Sequence, residues 1–165
     1  VFAGLGDRAQ QRIDLNQAIE SQIHTLRDTL EAVTVECRFG PLPEVACYPD
    51  RLDRAIRELL INAREAIGRG SGAGCITVTT SARQVDGVEH ALVEVADSGP
   101  GVPDGPIFDP FFTTKQVGQG LGLGLTVSHG IAAAHGGDLT VSRSSGAGAC
   151  FALTLPVQAP NWSSP

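Results

Sequence analysis

The apolar positions of this chain change period several times, and each change predicts an element. In DLNQAIESQIHTLRDTLEA (14–32), Leu15, Ile19, Ile23, Leu26 and Leu30 recur at helical spacing. That stripe predicts an amphipathic helix, with Asp14 as N-cap and Gln17 placed for a capping box. VTVECRF (33–39) alternates apolar and polar and predicts a strand, whereas the proline-punctuated GPLPEVACYPD predicts a loop. A second helix is predicted from Asp50 to Ile67. CITVTTSA (75–82) and ALVEVADS (91–98) read as strands joined by a turn at VDGVEH. Residues 99–120 are rich in Gly and Pro without periodicity, and a loop of that length inside a compact domain marks a lid or a disordered segment. A third helix is predicted from Leu121 to His135, stopped by Gly136-Gly137. DLTVSRS and CFALTLP predict a closing hairpin around SGAG.

Several strands follow one another directly, so strict β-α-β alternation is absent. This order predicts an α/β fold of α+β type, a two-layer sandwich with a mixed sheet and the three helices on one face. Residues 1–12 read as a linker or the end of an earlier element, 13–157 as the folded domain, and 158–165 as a frayed tail.

The second helix carries the first candidate chemistry. Leu52, Ile56, Leu59, Leu60, Ala63 and Ile67 fall within about 80° of one another on the helical wheel. Glu58, Asn62 and Glu65 fall on the opposite face, with Glu58 and Asn62 neighbours at i and i+4. Alone, this pattern fits a solvated face as well as a site. Asn is a mediocre helix former, however, and its amide oxygen can ligate Mg²⁺ beside phosphates without adding a repelling charge.

Asp97 stands where an alternating strand runs into Ser-Gly-Pro-Gly. That is good turn chemistry. It is also a place where a fixed carboxylate can accept a hydrogen bond from an exocyclic amine, with Gly99 and Gly101 letting the backbone pass under a flat ring. Further on, GQGLGLGL (118–125) opens the third helix, and a glycine-rich loop before a helix presents free N–H groups that suit phosphate. The run matches neither a Walker loop nor a dinucleotide fingerprint. Before it, FDPFFTTK holds Phe108, Phe111 and Phe112, and Lys115, the chain's only lysine, is placed to reach a terminal phosphate as a point charge.

Composition narrows the partners. At 165 residues the chain fits one domain with a real core, and its 20 glycines exceed the usual share of about 7%. A net charge of −6 without a basic patch argues against non-specific binding of nucleic acid or of anionic membrane. Cys37, Cys47, Cys75 and Cys150 show no C-x-x-C spacing and read as small buried hydrophobes in a reducing cytosol. With His24, His90, His129 and His135 they complete no zinc spacing. There is no signal peptide and no apolar run near the roughly 20 residues that span a bilayer. A soluble, cytoplasmic segment is expected, which could still be the cytoplasmic portion of a membrane-anchored sensor.

In this order the segments resemble the catalytic, ATP-binding domain of bacterial sensor histidine kinases, within the Bergerat-fold group that includes gyrase and mismatch-repair ATPases. ELLINAREAI resembles the family's N box, DSGPG its first glycine box, IFDPFFTTK its F box and GLGLGL its second glycine box, and the resemblance spans about residues 12–157. It implies a mixed, mostly antiparallel sheet, and ATP and Mg²⁺ as ligands. Asn62 would ligate the Mg²⁺. Glu58 would act as, or position, the base for the attacking histidine. Asp97 would take the adenine amine, with Gly99 and Gly101 shaping the pocket. Residues 103–119 would form the ATP lid, including Phe112, Thr114 and Lys115. Gly120, Gly122, Leu123 and Gly124 would line the phosphate side. Ala149 stands where a Thr often supports adenine through water, which predicts weaker or differently hydrated binding. The implied partners are the dimerisation domain carrying the phosphoacceptor His, and a response regulator. His24, followed by Thr25, is expected to be a surface residue and not the acceptor. The chain therefore reads as the kinase half of a longer protein. A serine/threonine kinase of anti-sigma type and a silent nucleotide-binding docking module are the rival readings.

Overall fold

The computed structural model describes residues 10–68, 74–99, 123–143 and 148–158. In chain order the elements are β1 (Gln11–Ile13), α1 (Leu15–Thr25), β2 (Val33–Phe39), β3 (Val45–Cys47), α2 (Pro49–Gly68), β4 (Gly74–Val85), β5 (Val88–Asp97), α3 (Leu123–Ala134), β6 (Asp138–Arg143) and β7 (Ala149–Pro156). Five strands form one sheet in the order β2-β4-β5-β7-β6, parallel only between β2 and β4. The sheet is mixed and mostly antiparallel, as expected.

Alternation decides which sheet face is covered. Ile76 and Val78 on β4, Val93 and Val95 on β5, and Phe151, Leu153 and Leu155 on β7 are all buried, while their alternate neighbours are half-buried. The buried side chains form one cluster with Leu52, Ile56, Leu59, Leu60, Ala63 and Ile67 of α2 and with Leu15 and Ile19 of α1. The apolar wheel face read from the sequence is therefore the face of α2 that meets the sheet. Helix α3 packs against α2 and against β6 and β7.

Four sequence expectations shift. Helix α1 ends at Thr25, not near residue 32: the chain continues in turns, and Arg27 caps the end by donating from Nη1 to the His24 carbonyl at 3.1 Å. Leu26 and Leu30 are buried all the same. The buried stripe of α1 takes Gln22 in place of Ile23, which is half-buried and lines a groove beside β2. Within the expected linker and loop, three residues each form β1 and β3, which pair antiparallel with Arg12 opposite Ala46. Runs of three are too short for alternation to show. The turn expected over 85–90 tightens to Asp86-Gly87, whose φ angles of 52° and 79° are those of a two-residue hairpin that Asp-Gly favours.

Other signals stand as read. Asp14 Oδ1 accepts from the Gln17 N–H at 3.2 Å. Gly136, at φ 79°, ends α3, and the Gly137 N–H closes on the Ala132 carbonyl at 2.8 Å. The cysteines depart from expectation: all four are free thiols, but only Cys47 is fully buried, Cys75 and Cys150 are half-buried and Cys37 is exposed. Burial, aided by Asp53, pushes the Cys47 thiol up to about 12. Among the described residues no helix is long and apolar enough to cross a membrane.

Candidate functional site

Helices α2 and α3 run antiparallel in one register. Tyr48 meets His135, Ala55 meets Ser128, and Glu58 meets Gly124. At the last of these a Cβ on Gly124 would overlap Glu58 Oε1, so the glycine lets the helix start close against that carboxylate. Glu58, Asn62 and Glu65 are each half-buried and not fully solvated. The polar stripe thus lies on the flank of α2 turned toward α3. The stripe is partly covered.

Eight residues after Glu58 on α2 comes Ala66, two helical turns along. Its carbonyl lies where a Cβ on Gly99 would sit, at 2.7 Å. Gly99 thus brings the end of β5 directly onto α2. The order along this helix is Glu58 against Gly124, Asn62 one turn on, then Ala66 against Gly99. Three segments far apart in sequence converge within two turns of one helix.

Asp97 is the last residue of β5 and is 3% exposed. Its Oδ1 accepts from the Gly99 N–H at 2.8 Å and from the Ala149 N–H at 3.4 Å. The Gly99 bond is an Asx-turn. The turn reading of this residue is therefore correct, and it occupies only one carboxylate oxygen; Oδ2 is buried as well. Gly148 closes the cradle, because any Cβ there would strike the Asp97 carbonyl. Ser98 Oγ accepts from the Cys75 N–H at 2.9 Å and ties the strand end to β4. Beside it the Cys150 thiol is pushed up by burial, then by the carboxylates of Glu94 and Asp97.

Of the residues singled out in the sequence, Glu58, Asn62, Asp97, Gly99 and Gly124 come together around α2. Leu123 begins α3. Gly101, Phe112, Thr114, Lys115, Gly120 and Gly122, with the whole expected lid, lie outside the described residues, as does most of the expected tail. Sequence reading missed Gly148 and the structural part played by Ser128, Tyr48 and His135. Gly148 had a signal, being a glycine one residue before a strand that pairs beside Asp97. Ser128 and His135 had none, since periodicity does not say which polar residue of a helix is buried.

These residues suit a purine nucleotide. A flat base needs a fixed acceptor at its edge and close backbone on its faces, and the Asp97 cradle with Gly99 and Gly148 offers both. Among the described residues no group of three His, Cys, Asp or Glu gathers as a cage for a metal. The donors on α2, the Asn62 amide and the Glu58 carboxylate, fit Mg²⁺ of the kind that takes one or two protein ligands and fills its shell with phosphates and water.

The chain belongs to the histidine kinase-, DNA gyrase B- and HSP90-like ATPase family, whose model matches residues 47–159. Within it, the chain is 38% identical over 155 residues to the sensor histidine kinase ZraS of Escherichia coli K12, covering 90% of this chain and 31% of that one. Among solved structures, the catalytic domain of histidine kinase ThkA superposes with a TM-score of 0.77 at 26% identity, covering 90% of this chain and 96% of that one. The mycobacterial sensor histidine kinase MprB superposes with a TM-score of 0.76 at 24% identity, covering 92% and 100%. The chain thus spans about a third of the length of its ZraS relatives.

Proposed function

We propose that this domain binds Mg·ATP and transfers the γ-phosphoryl group to a histidine on a separate dimerisation domain, as the catalytic part of a sensor histidine kinase that serves a response regulator. The observation that carries the reading is the buried Asp97 carboxylate, held at a rigid strand end by the Gly99 and Ala149 N–H groups and brought by Gly99 onto the helix that bears Asn62.

In this reading Asp97 accepts the adenine amine, and Gly99, Gly101 and Gly148 let the backbone close on the ring. Asn62 holds the Mg²⁺, which when bound neutralises phosphate charge. Glu58, positioned by Gly124, takes or orients the proton of the attacking imidazole. Residues 103–119 cover the nucleotide, with Phe112, Thr114 and Lys115 on the phosphate side beside Gly120, Gly122 and Leu123. Phosphoryl transfer of this kind is mostly positioning and charge neutralisation. The domain alone should therefore bind ATP yet turn it over slowly.

Asp97→Asn tests the adenine contact. A charged hydrogen bond contributes roughly 1.5–3 kcal/mol, so ATP affinity should drop by about tenfold or more in a calorimetric titration. An affinity within about twofold of wild type sinks the assignment. Mixing the chain with ATP and a separate helical hairpin bearing a phosphoacceptor histidine tests the reaction. The expected product is acid-labile; an acid-stable phosphoprotein would instead indicate hydroxyl phosphorylation.

A further inference from the structure

His135 is 2% exposed, and both of its ring nitrogens are engaged. Nε2 lies 3.1 Å from the backbone N of Tyr48, and Nδ1 lies 2.8 Å from the Ile131 carbonyl oxygen. A backbone N–H can only donate, so Nε2 must be an unprotonated acceptor. A carbonyl can only accept, so Nδ1 must carry the proton. Geometry therefore fixes one state of the ring, the neutral Nδ1–H tautomer. The Tyr48 ring stands edge-on to it at 6.0 Å between centroids, inclined at 77°.

Tyr48 is also where α2 begins, because its carbonyl accepts the first-turn bond from the Leu52 N–H at 3.0 Å. His135 follows the last residue of α3, immediately before the Gly136-Gly137 stop. One imidazole thus joins the C-terminal end of α3 to the N-terminal end of α2. Two more contacts share its register. Ser128, fully buried, donates from Oγ to the Ala55 carbonyl at 3.4 Å, and Gly124 fits against Glu58. A slip of one helix along the other would break all three together. The Ser128 bond is long and the Gly124 contact is steric, so of these three contacts the His135 pair is the most directional.

We infer that His135 is a positioning residue: as the neutral Nδ1–H tautomer it locks the register of α3 on α2, and so holds Glu58 and Gly124 in place at the other end of the pair. The consequence for ligand binding rests on the nucleotide reading given above; the lock itself does not.

Nitrogen-resolved NMR of the histidines gives the tautomer directly, and His135 should be protonated at Nδ1 alone at pH 7. His135→Phe keeps an aromatic filling without an acceptor, and His135→Gln restores a carbonyl oxygen near the place of Nε2. In an ATP-analogue titration at a temperature where both variants are folded, His135→Phe should bind about fivefold more weakly, and His135→Gln within about twofold of wild type. Wild-type affinity in His135→Phe overturns the inference. So does an equal loss in both variants, which would take the effect away from the acceptor at Nε2, and so does a ring protonated at Nε2. Should His135→Phe not fold, the tautomer and His135→Gln decide. If the wild-type chain itself binds no nucleotide, the proposed function fails instead. The lock is then judged by amide exchange at Tyr48 and Leu52, which must be faster in His135→Phe than in His135→Gln; equal rates overturn it.

Discussion

The candidate site has two walls built by different physics. On α2 the groups are side chains, Glu58 and Asn62, placed by helical periodicity and half-buried on a flank. At the end of β5 the structure is made by backbone: Gly99 against the Ala66 carbonyl, Gly148 against the Asp97 carbonyl, and two N–H groups on one carboxylate oxygen. A wall of side chains can lose one member and keep its shape. A wall in which main chain touches main chain has no slack, because even one methyl must displace a neighbour.

That contrast can be broken most forcefully at Gly148. Gly148→Ala should destabilise the fold by about 1–3 kcal/mol and remove nucleotide binding together with stability, seen as a lowered Tm and a lost titration signal. An unchanged Tm would mean that the strand-end wall yields after all. Asn62→Ala should do the opposite on the helix wall. Thermal stability should stay within about 0.5 kcal/mol, since the side chain is half-buried and helix-compatible. ATP affinity should meanwhile fall by about tenfold in titrations with Mg²⁺ and change little in titrations without it. Equal losses with and without Mg²⁺ would take the metal away from Asn62. The smallest effect is a gain. Gln22 on α1 is 8% exposed, with its Oε1 buried and without a hydrogen-bond partner. Gln22→Leu should stabilise the domain by up to about 1 kcal/mol in a denaturant melt and leave nucleotide affinity alone. Destabilisation there would show that the amide serves a purpose beyond packing.

The same division explains what the sequence made legible. The face of α2 that meets the core follows from Leu52, Ile56, Leu59, Leu60, Ala63 and Ile67 alone, and so does its polar flank with Glu58 and Asn62. Asp97 was readable from the break between alternation and Ser-Gly-Pro-Gly. Invisible were the contacts that depend on which distant backbone arrives where. Gly99 meets Ala66 through space, and Gly148, legible only as a glycine before a strand, gives no sign that it packs on Asp97 across a strand pairing. Three-residue strands such as β1 and β3 carry too few positions to show a period and owe their conformation to each other and, at Ala46, to the Val157 carbonyl. The end of α1 was misplaced because Leu26 and Leu30 keep the apolar spacing past Thr25, and their N–H groups still close isolated turns on the Gln22 and Leu26 carbonyls.

The mixed sheet also sets an order of assembly. Strands β4 and β5 are joined across the two residues Asp86 and Gly87, so their rungs can close within a single local turn. Strand β2 must instead find β4 from the far side of β3 and α2, with Val33 opposite Gly74, and the chain entropy of that long excursion is lost before any parallel rung forms. The hairpin is thus the natural nucleus and β2 the late arrival. Pulse-labelled amide exchange during refolding should find β2 protected after β4 and β5, and simultaneous protection would argue for a single concerted collapse.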